Sequence, residues 1–415
     1  RLLFRSLVDL LGHPQHSFPA IHITGTNGKT STARMIDALL RGFGLRPGRY
    51  TSPHLESVTE RISVDGQPVA PDVFARAYDD VIPYVEMVDG RHPERVTFFE
   101  LLTAMAFAAF ADAPVDVGVI EVGMGGVWDA TNVLDARVSV ITPVSLDHPE
   151  LGRTVEAVAA EKAGIMRRDS LVVLAQQSLS AAETLLRRAA ETGATVAREG
   201  MEFGVVGRRV AVGGQMLTLR GLGGIYDEVF LPLHGVHQAH NAAVALAAVE
   251  AFIGGGREPL DIDTVRAGFA QADSPGRLEV VRRSPTIVLD GAHNVAGAQA
   301  LAAAVEEAFA FDTLVGVIGV LSDKDAYGIL SALEPVLTGV VLTQSTSPRA
   351  MPADDLAAVA VEIFGEDRVE VEPRLDDALD AGVRMAEEDG ILGGAGVLVT
   401  GSLVTVGEAR HLLRR

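Results

Sequence analysis

The sequence predicts an α/β protein in two domains, each organised on a mainly parallel sheet, and three observations carry that expectation. An apolar strand ending at Ile23-Thr24 runs into the glycine loop Gly25-Thr26-Asn27-Gly28-Lys29-Thr30, which opens a stretch with helical apolar spacing over 31–40. Short apolar runs then alternate with helical segments along the rest of the chain. Finally, 415 residues exceed a single typical core, and the pattern restarts after the turn Ser274-Pro275-Gly276. The expected domains are therefore 1–272 and a smaller α/β domain over 273–415.

The glycine loop reads as a phosphate cradle. Gly25 and Gly28 let successive backbone N–H groups face inward, Lys29 supplies a point charge, and the Thr30 hydroxyl can reach a magnesium ion. The loop is shorter than the usual G-x-x-x-x-G-K-[ST] form, because Ile23 stands where the first glycine would fall. The strand before it and the helix after it are the context such a loop requires.

Composition narrows the function classes. Formal net charge is −20, with 35 Lys and Arg against 55 Asp and Glu, which argues against non-specific binding to nucleic acid or to anionic membranes. An anionic substrate would need local arginines and lysines to overcome that field. The absence of cysteine excludes disulfides, thiolate metal sites and a cysteine nucleophile. No apolar run reaches the roughly 18 residues of a membrane span. The opening stretch 1–11 has charges at helical spacing and reads as an amphipathic helix, so a cytoplasmic enzyme is the simplest expectation. The first residue is not Met, and further residues are expected ahead of it.

Taken in order, 49–55 is expected as a loop, since Ser52-Pro53 disfavours helix there. The stretch 57–66 reads as a hairpin turning at Asp65-Gly66. A buried helix is expected over 97–110, with its phenylalanines in the core. A buried strand follows over 115–121 and ends in Glu121, where an acid beyond a parallel strand can hold a metal ion. The glycine-rich turn 123–132 carries the single tryptophan, Trp128, and does not match the dinucleotide fingerprint. After the next strand, 138–142, His148 offers a second metal ligand, on a strand expected to neighbour the one that ends in Glu121.

A helix over 154–166 carries Lys162, which on pattern alone is a solvated lysine. A β-rich insert spans about 201–233. A further helix begins at His237 and His240, for which hydrogen-bonding roles are expected because no acid lies near them in sequence. In the second domain strands are expected over 286–290, 314–320, 340–343, 369–371 and 397–400, separated by helices such as 296–309.

Together these stretches resemble the Mur ligase superfamily, and most closely its folate branch, the folylpolyglutamate synthases and bifunctional dihydrofolate synthases. The resemblance rests on Thr24 to Thr30, Thr51-Ser52-Pro53-His54-Leu55, Thr59-Glu60-Arg61-Ile62, Glu121 to Asn132, Asp147-His148, Glu161-Lys162-Ala163-Gly164-Ile165, Gly276-Arg277, Asp290-Gly291-Ala292-His293-Asn294 and Thr400-Gly401-Ser402-Leu403. It implies a P-loop Mur-ligase-type central domain with a mainly parallel sheet, plus a smaller Rossmann-like α/β C-terminal domain. It further implies that Asn27, Gly28, Lys29 and Thr30 hold the ATP phosphates, that Asn241, Arg277 and Asp290 contact the nucleotide between the domains, and that Ser52, Glu121 and His148 ligate Mg2+. Lys162 matches a lysine that the family carries as a carbamate. Thr97, Phe98, Phe99 and Glu100 with Trp128, Asp129 and Ala130 match the pterin site, while Arg61, His293 and Ser402 match segments serving the incoming glutamate.

Three departures from the family stand out: the segment after His148 is one residue shorter, Val295 stands where proline is frequent, and the family's pterin loop ahead of the first helix would lie before Arg1. The implied substrates are ATP, L-glutamate and folate or dihydropteroate, in a monomer. The implied reaction activates the folate-type carboxylate as an acyl phosphate, which glutamate's amine then attacks. Catalytic roles fall to Lys29, Lys162, His293 and Arg61. The alternatives are a Mur-type ligase acting on another carboxylate, a P-loop NTPase or kinase without an amino-acid acceptor, and a non-catalytic nucleotide-binding regulator.

Overall fold

The computed structural model describes residues 2–389 and 394–414, so Arg1, within the expected opening helix, lies outside the described residues. The chain divides into two compact units, Arg1–Pro232 with Gln238–Asp273, and Leu233–His237 with Ser274–Arg415.

The larger unit begins with α1 (Leu2–Leu10), β1 (Ala20–Thr24), α2 (Lys29–Gly42), β2 (Pro47–Tyr50), β3 (Ile62–Val64), β4 (Gln67–Pro68), α3 (Pro71–Asp89) and α4 (Phe98–Asp112). It continues through β5 (Val117–Glu121), β6 (Val138–Ile141), α5 (Val155–Lys162), β7 (Leu171–Leu174), α6 (Leu179–Thr192) and β8 (Thr195–Arg198). These strands form one sheet in the order β4-β3-β2-β5-β1-β6-β7-β8, parallel from β2 to β8. Strand β1 is buried along all five residues, as expected where helices cover both faces. The phenylalanine core beside it is tight: the Phe18 ring lies 6.2 Å from Phe107 and 5.8 Å from Phe110.

A three-stranded antiparallel sheet of β9 (Gly204–Ala211), β10 (Gly214–Arg220) and β11 (Ile225–Leu231) forms the predicted insert. It is followed by α7 (Val236–Gly254) and α8 (Ile262–Ala270).

The smaller unit contains β12 (Glu279–Arg283), β13 (Thr286–Leu289), α9 (Val295–Ala308), β14 (Thr313–Ile318), α10 (Ala326–Leu333) and β15 (Gly339–Leu342). It ends with α11 (Ala353–Phe364), β16 (Val369–Val371), α12 (Leu375–Asp389), β17 (Ala395–Thr400) and α13 (Leu403–Leu413). Its sheet runs β12-β13-β17-β14-β15-β16, parallel apart from β12.

Several local expectations are corrected. Arg49 and Tyr50 belong to buried β2 rather than to a loop, because pairing with both β3 and β5 outweighs the following Ser-Pro. Only the second half of 57–66 is hairpin. Residues Val58–Arg61 form a 3-10 turn capped by Ser57, and the β3-β4 hairpin turns at Asp65-Gly66, both with positive φ. Strand β12 was not expected, because its charged sequence Glu279-Val280-Val281-Arg282-Arg283 suits an edge. Most consequential for the site, β5 and β6 are not neighbours: β1 lies between them. The acid ending β5 and the histidine beyond β6 therefore approach the glycine loop from opposite sides.

Candidate active site

The glycine loop leaves the carboxyl end of β1, and the first bond within α2 runs from Thr32 N–H to the Gly28 carbonyl. The helix therefore supplies no acceptor for the N–H groups of Lys29 or Thr30, and its partial positive charge sits at the loop. Both loop glycines are required by contact. A Cβ on Gly25 would lie 1.8 Å from Thr142 Oγ1, and one on Gly28, whose φ is +86°, would lie 2.5 Å from Asn241 Oδ1. Asn241, on α7, is thereby placed against the cradle, and its Nδ2 donates to Gln238 at 3.1 Å. Thr26 is pinned from the β6 side, its N–H on Pro143 O and its hydroxyl on Ser145 O.

Two lysines converge on one carbonyl. Lys29 Nζ donates to Gly25 O at 3.0 Å and to Thr26 O at 3.1 Å, and Lys162 Nζ donates to the same Gly25 O at 2.8 Å. Lys162 is buried, contrary to the solvated-surface reading, because α5 turns that face toward the sheet. Burial and then the neighbouring Lys29 charge lower its pKa to about 7, against the opposing pull of Asp147, Asp129 and Glu161. A cavity of about 20 Å³ beside it is lined by Lys29, Asp147, His148 and Lys162 among others. His148 Nε2 lies 3.5 Å from Asp147 Oδ2.

On the β5 side, Glu121 is buried at 1% exposure, and its two carboxylate oxygens accept from the Thr30 hydroxyl at 3.1 and 2.9 Å. The Ser52 N–H reaches Glu121 Oε2 at 3.4 Å from the loop after β2, where the Ser52-Pro53 bond is cis. A buried carboxylate with hydroxyls beside a phosphate cradle is a donor set suited to a hard divalent cation such as Mg2+. Among the described residues there is no group of three or more His, Asp or Glu side chains arranged for a metal.

Glu60, which the sequence marked only as part of a matching stretch and to which it gave no role, organises the loop that carries Ser52. Its carboxylate accepts the N–H groups of Leu55, Glu56 and Ser57 at 2.8, 2.9 and 2.8 Å. Burial would raise its pKa, yet these hydrogen bonds hold it below the ordinary value. Arg61 Nε donates to His54 Nδ1 at 3.0 Å, and its guanidinium lies 5.5 Å from the Phe98 ring centroid. Phe98 is 61% exposed, which corrects the expectation that all the phenylalanines of α4 are core; Phe99 packs on Tyr50 instead. Thr97 and Glu100 form a capping box at the start of α4, so both side chains are engaged in shaping that helix end.

Trp128 is 73% exposed on the neighbouring turn. That turn is anchored by Glu161, which accepts from Trp128 N–H at 3.0 Å, and by buried Asp129, which accepts from Met124 N–H and from the N–H and hydroxyl of Thr131. Burial raises the Asp129 pKa. Ala130, next to it, starts a short 3-10 turn. The hydrogen-bonding role expected of His240 is met by an acid distant in sequence: Glu199 lies 2.5 Å from His240 Nδ1, and that bond raises its pKa.

In the smaller unit Asp290, at the end of β13, is buried, which raises its pKa; it accepts from Leu278 N–H at 3.0 Å and Ala292 N–H at 2.9 Å. His293 Nδ1 lies 2.9 Å from Gly291 O, which assigns the ring proton to Nδ1. Asn294 caps α9. Ser402 is buried and caps α13, its oxygen accepting from Thr405 N–H at 3.0 Å. Ser402→Ala is expected to lower stability by about 1 kcal/mol, the usual cost of a lost cap. Thermal unfolding measures that loss, and the KM for glutamate measured alongside shows whether the hydroxyl also serves a substrate.

A glycine loop at the carboxyl end of a central parallel strand, opening a helix beside a buried acid, defines a nucleotide-binding α/β protein of the P-loop kind. The family model of the Mur ligase middle domain matches residues 23–249, and that of the Mur ligase glutamate ligase domain matches 276–403. The chain is 52% identical to a dihydrofolate synthase/folylpolyglutamate synthase of Mycobacterium tuberculosis, over 99% of this chain and 89% of that protein. A solved Mycobacterium tuberculosis folylpolyglutamate synthase complexed with ADP superposes with a TM-score of 0.97 at 52% identity, covering 100% of this chain and 94% of that one. An Escherichia coli structure in complex with DHPP and ADP gives 0.84 at 30% identity, covering 98% and 92%. The chain belongs to the folylpolyglutamate synthase/dihydrofolate synthase family.

Proposed function

We propose that this protein is an ATP-dependent amide ligase that adds L-glutamate to a folate-type carboxylate, extending tetrahydrofolate polyglutamates and also converting dihydropteroate to dihydrofolate. The observation that carries the reading is the Gly25–Thr30 loop itself, where Lys29 and the N-terminus of α2 stand beside the Thr30–Glu121 couple. That arrangement suits an anion of high charge in the cradle, and family membership supplies the substrate class.

In this reading the loop N–H groups and Lys29 bind and orient ATP, with Asn241, Arg277 and Asp290 contributing to nucleotide binding. A carboxylate has an oxide as its leaving group and is a poor acyl donor, so activation must precede amide formation. The substrate carboxylate attacks the γ-phosphorus in line, giving an acyl phosphate and ADP, with Lys29 offsetting the developing charge. Ser52, Glu121 and His148 would hold Mg2+, which supplies further charge neutralisation at the phosphates. The neutral form of Lys162 is accessible near pH 7, so it can add carbon dioxide and become an anionic oxygen donor toward that site.

The pterin lies against Phe98, Phe99 and Trp128, with Thr97, Glu100, Asp129 and Ala130 shaping the segments around it. Arg61, His293 and Ser402 serve glutamate, whose amine attacks the acyl carbon; the tetrahedral adduct collapses to the amide and phosphate. The reading takes the form of a cytoplasmic monomer. Among the described residues no helix is long and apolar enough to cross a membrane.

The test is phosphate release from ATP and magnesium with dihydropteroate or a reduced folate, each with and without L-glutamate. Release that needs both the pterin and glutamate is expected. Release from ATP alone, unchanged by either addition, would replace the ligase with an NTPase.

A further inference from the structure

Arg277 is followed by a residue in a costly conformation. Leu278 is buried and has φ +45°, in the left-handed region that a leucine rarely adopts. Such a residue persists only where its surroundings over-determine it, and these do. From one side Asp290 Oδ2 accepts the Leu278 N–H at 3.0 Å, and the Gly291 N–H bonds to Gly276 O at 2.8 Å. From the other side Glu279 Oε2 accepts the Gly276 N–H at 2.8 Å. Glu279 is in turn held by the C-terminal helix α13: Arg410 Nε lies 3.1 and 2.9 Å from its two oxygens, and Arg414 Nη2 lies 3.4 Å from Oε1. Arg410 is only 8% exposed, so this ion pair is shielded and carries more weight than a surface one.

We propose that Glu279 and Arg410 are positioning residues for the nucleotide: through the Gly276 N–H they fix the strained turn that aims Arg277, so that α13 sets the affinity for ATP. The inference rests on Arg277 contacting ATP, as in the proposed function. The Arg277 guanidinium is close to its own backbone, with Nη1 donating to Gly276 O at 3.2 Å, so its direction depends on how that peptide is held. A Cβ on Gly291 would lie 2.2 Å from the same Nη1, so the turn leaves the side chain little choice of path on that side. Breaking the Glu279–Arg410 link frees the Gly276 peptide and lets the side chain sample other directions, an entropic cost collected when the phosphates bind.

The experiment is steady-state kinetics on the full chain for Glu279→Ala, Arg410→Met, the double variant and Arg277→Ala, with thermal midpoints recorded with and without ADP. Arg410→Met keeps much of the apolar stem, and Glu279→Gln substitutes if Glu279→Ala does not fold. The expected result is a 5- to 20-fold rise in the KM for ATP in both single variants and no further rise in the double variant. The kcat should stay within about twofold, the KM for the folate substrate should not move, and the ADP-induced rise in midpoint should shrink. A purely structural role would lower the midpoint without moving the KM for ATP, and that result overturns the proposal. If Arg277→Ala itself leaves the KM for ATP unchanged, the nucleotide assignment of Arg277 falls and the proposal falls with it. If Arg277→Ala raises that KM while Glu279→Ala and Arg410→Met do not, only the positioning role is lost.

Discussion

Lys29→Ala is expected to reduce glutamate-dependent phosphate release by about 10³-fold, the scale on which removal of one preorganised charge at a reacting group acts. The fold should survive, because the Lys29 ammonium bonds to the carbonyls of Gly25 and Thr26, and both residues are held independently. Gly25 O keeps its bond from Lys162, and Thr26 its bonds to Pro143 and Ser145. A thermal midpoint near that of the parent chain, together with the loss of turnover, separates a catalytic defect from unfolding. Turnover within tenfold of the parent would show that the γ-phosphate is stabilised elsewhere and would remove Lys29 from the mechanism.

Lys162→Ala should cost about 10- to 100-fold in kcat, in line with losses at residues that tune a metal site from outside. The amine is poised for carbamylation because burial and the Lys29 charge bring its pKa to about 7, so a large fraction is uncharged at neutral pH. Activity should fall as pH drops through 7, where protonation removes the nucleophilic amine, and added bicarbonate should restore part of it. In Lys162→Ala, short carboxylic acids should rescue turnover partially, whereas bicarbonate should not. Equal activity of the parent chain with and without carbon dioxide, across pH 6 to 8, would exclude the carbamate.

The same pKa has a consequence for stability whose sign is fixed. The unmodified lysine has a folded pKa below its ordinary value of 10.5, so between about 7 and 10.5 the unfolded chain binds more protons. Lys162 therefore opposes folding most strongly below pH 7, and that penalty lifts as pH rises through the window.

Much of the candidate site was legible because its signals are local. The Gly25 to Thr30 loop needs only its flanking strand and helix to be read, and Glu121 only its place at the end of an apolar run. The remainder depended on contacts between residues far apart in the chain. Lys162 has the pattern of a solvated lysine, and only the packing of α5 shows that it is buried beside a loop 137 positions earlier. His240 seemed to lack an acid because Glu199 is 41 positions away. Glu60 stood in a matching stretch without a role; its role comes from the three backbone N–H groups that the loop after β2 turns toward it.

By itself the sequence determined the fold class and marked out the candidate site residues, since periodicity, glycine placement and short motifs are properties of neighbouring residues. The tertiary structure alone decided that β1 separates β5 from β6, so that Glu121 and His148 flank the cradle rather than adjoin one another. Strand order depends on how right-handed crossovers pack over the whole sheet, which no local stretch encodes. It likewise decided the charge state available to Lys162, because a pKa is fixed by burial and neighbouring charge, and both exist only once the chain has packed.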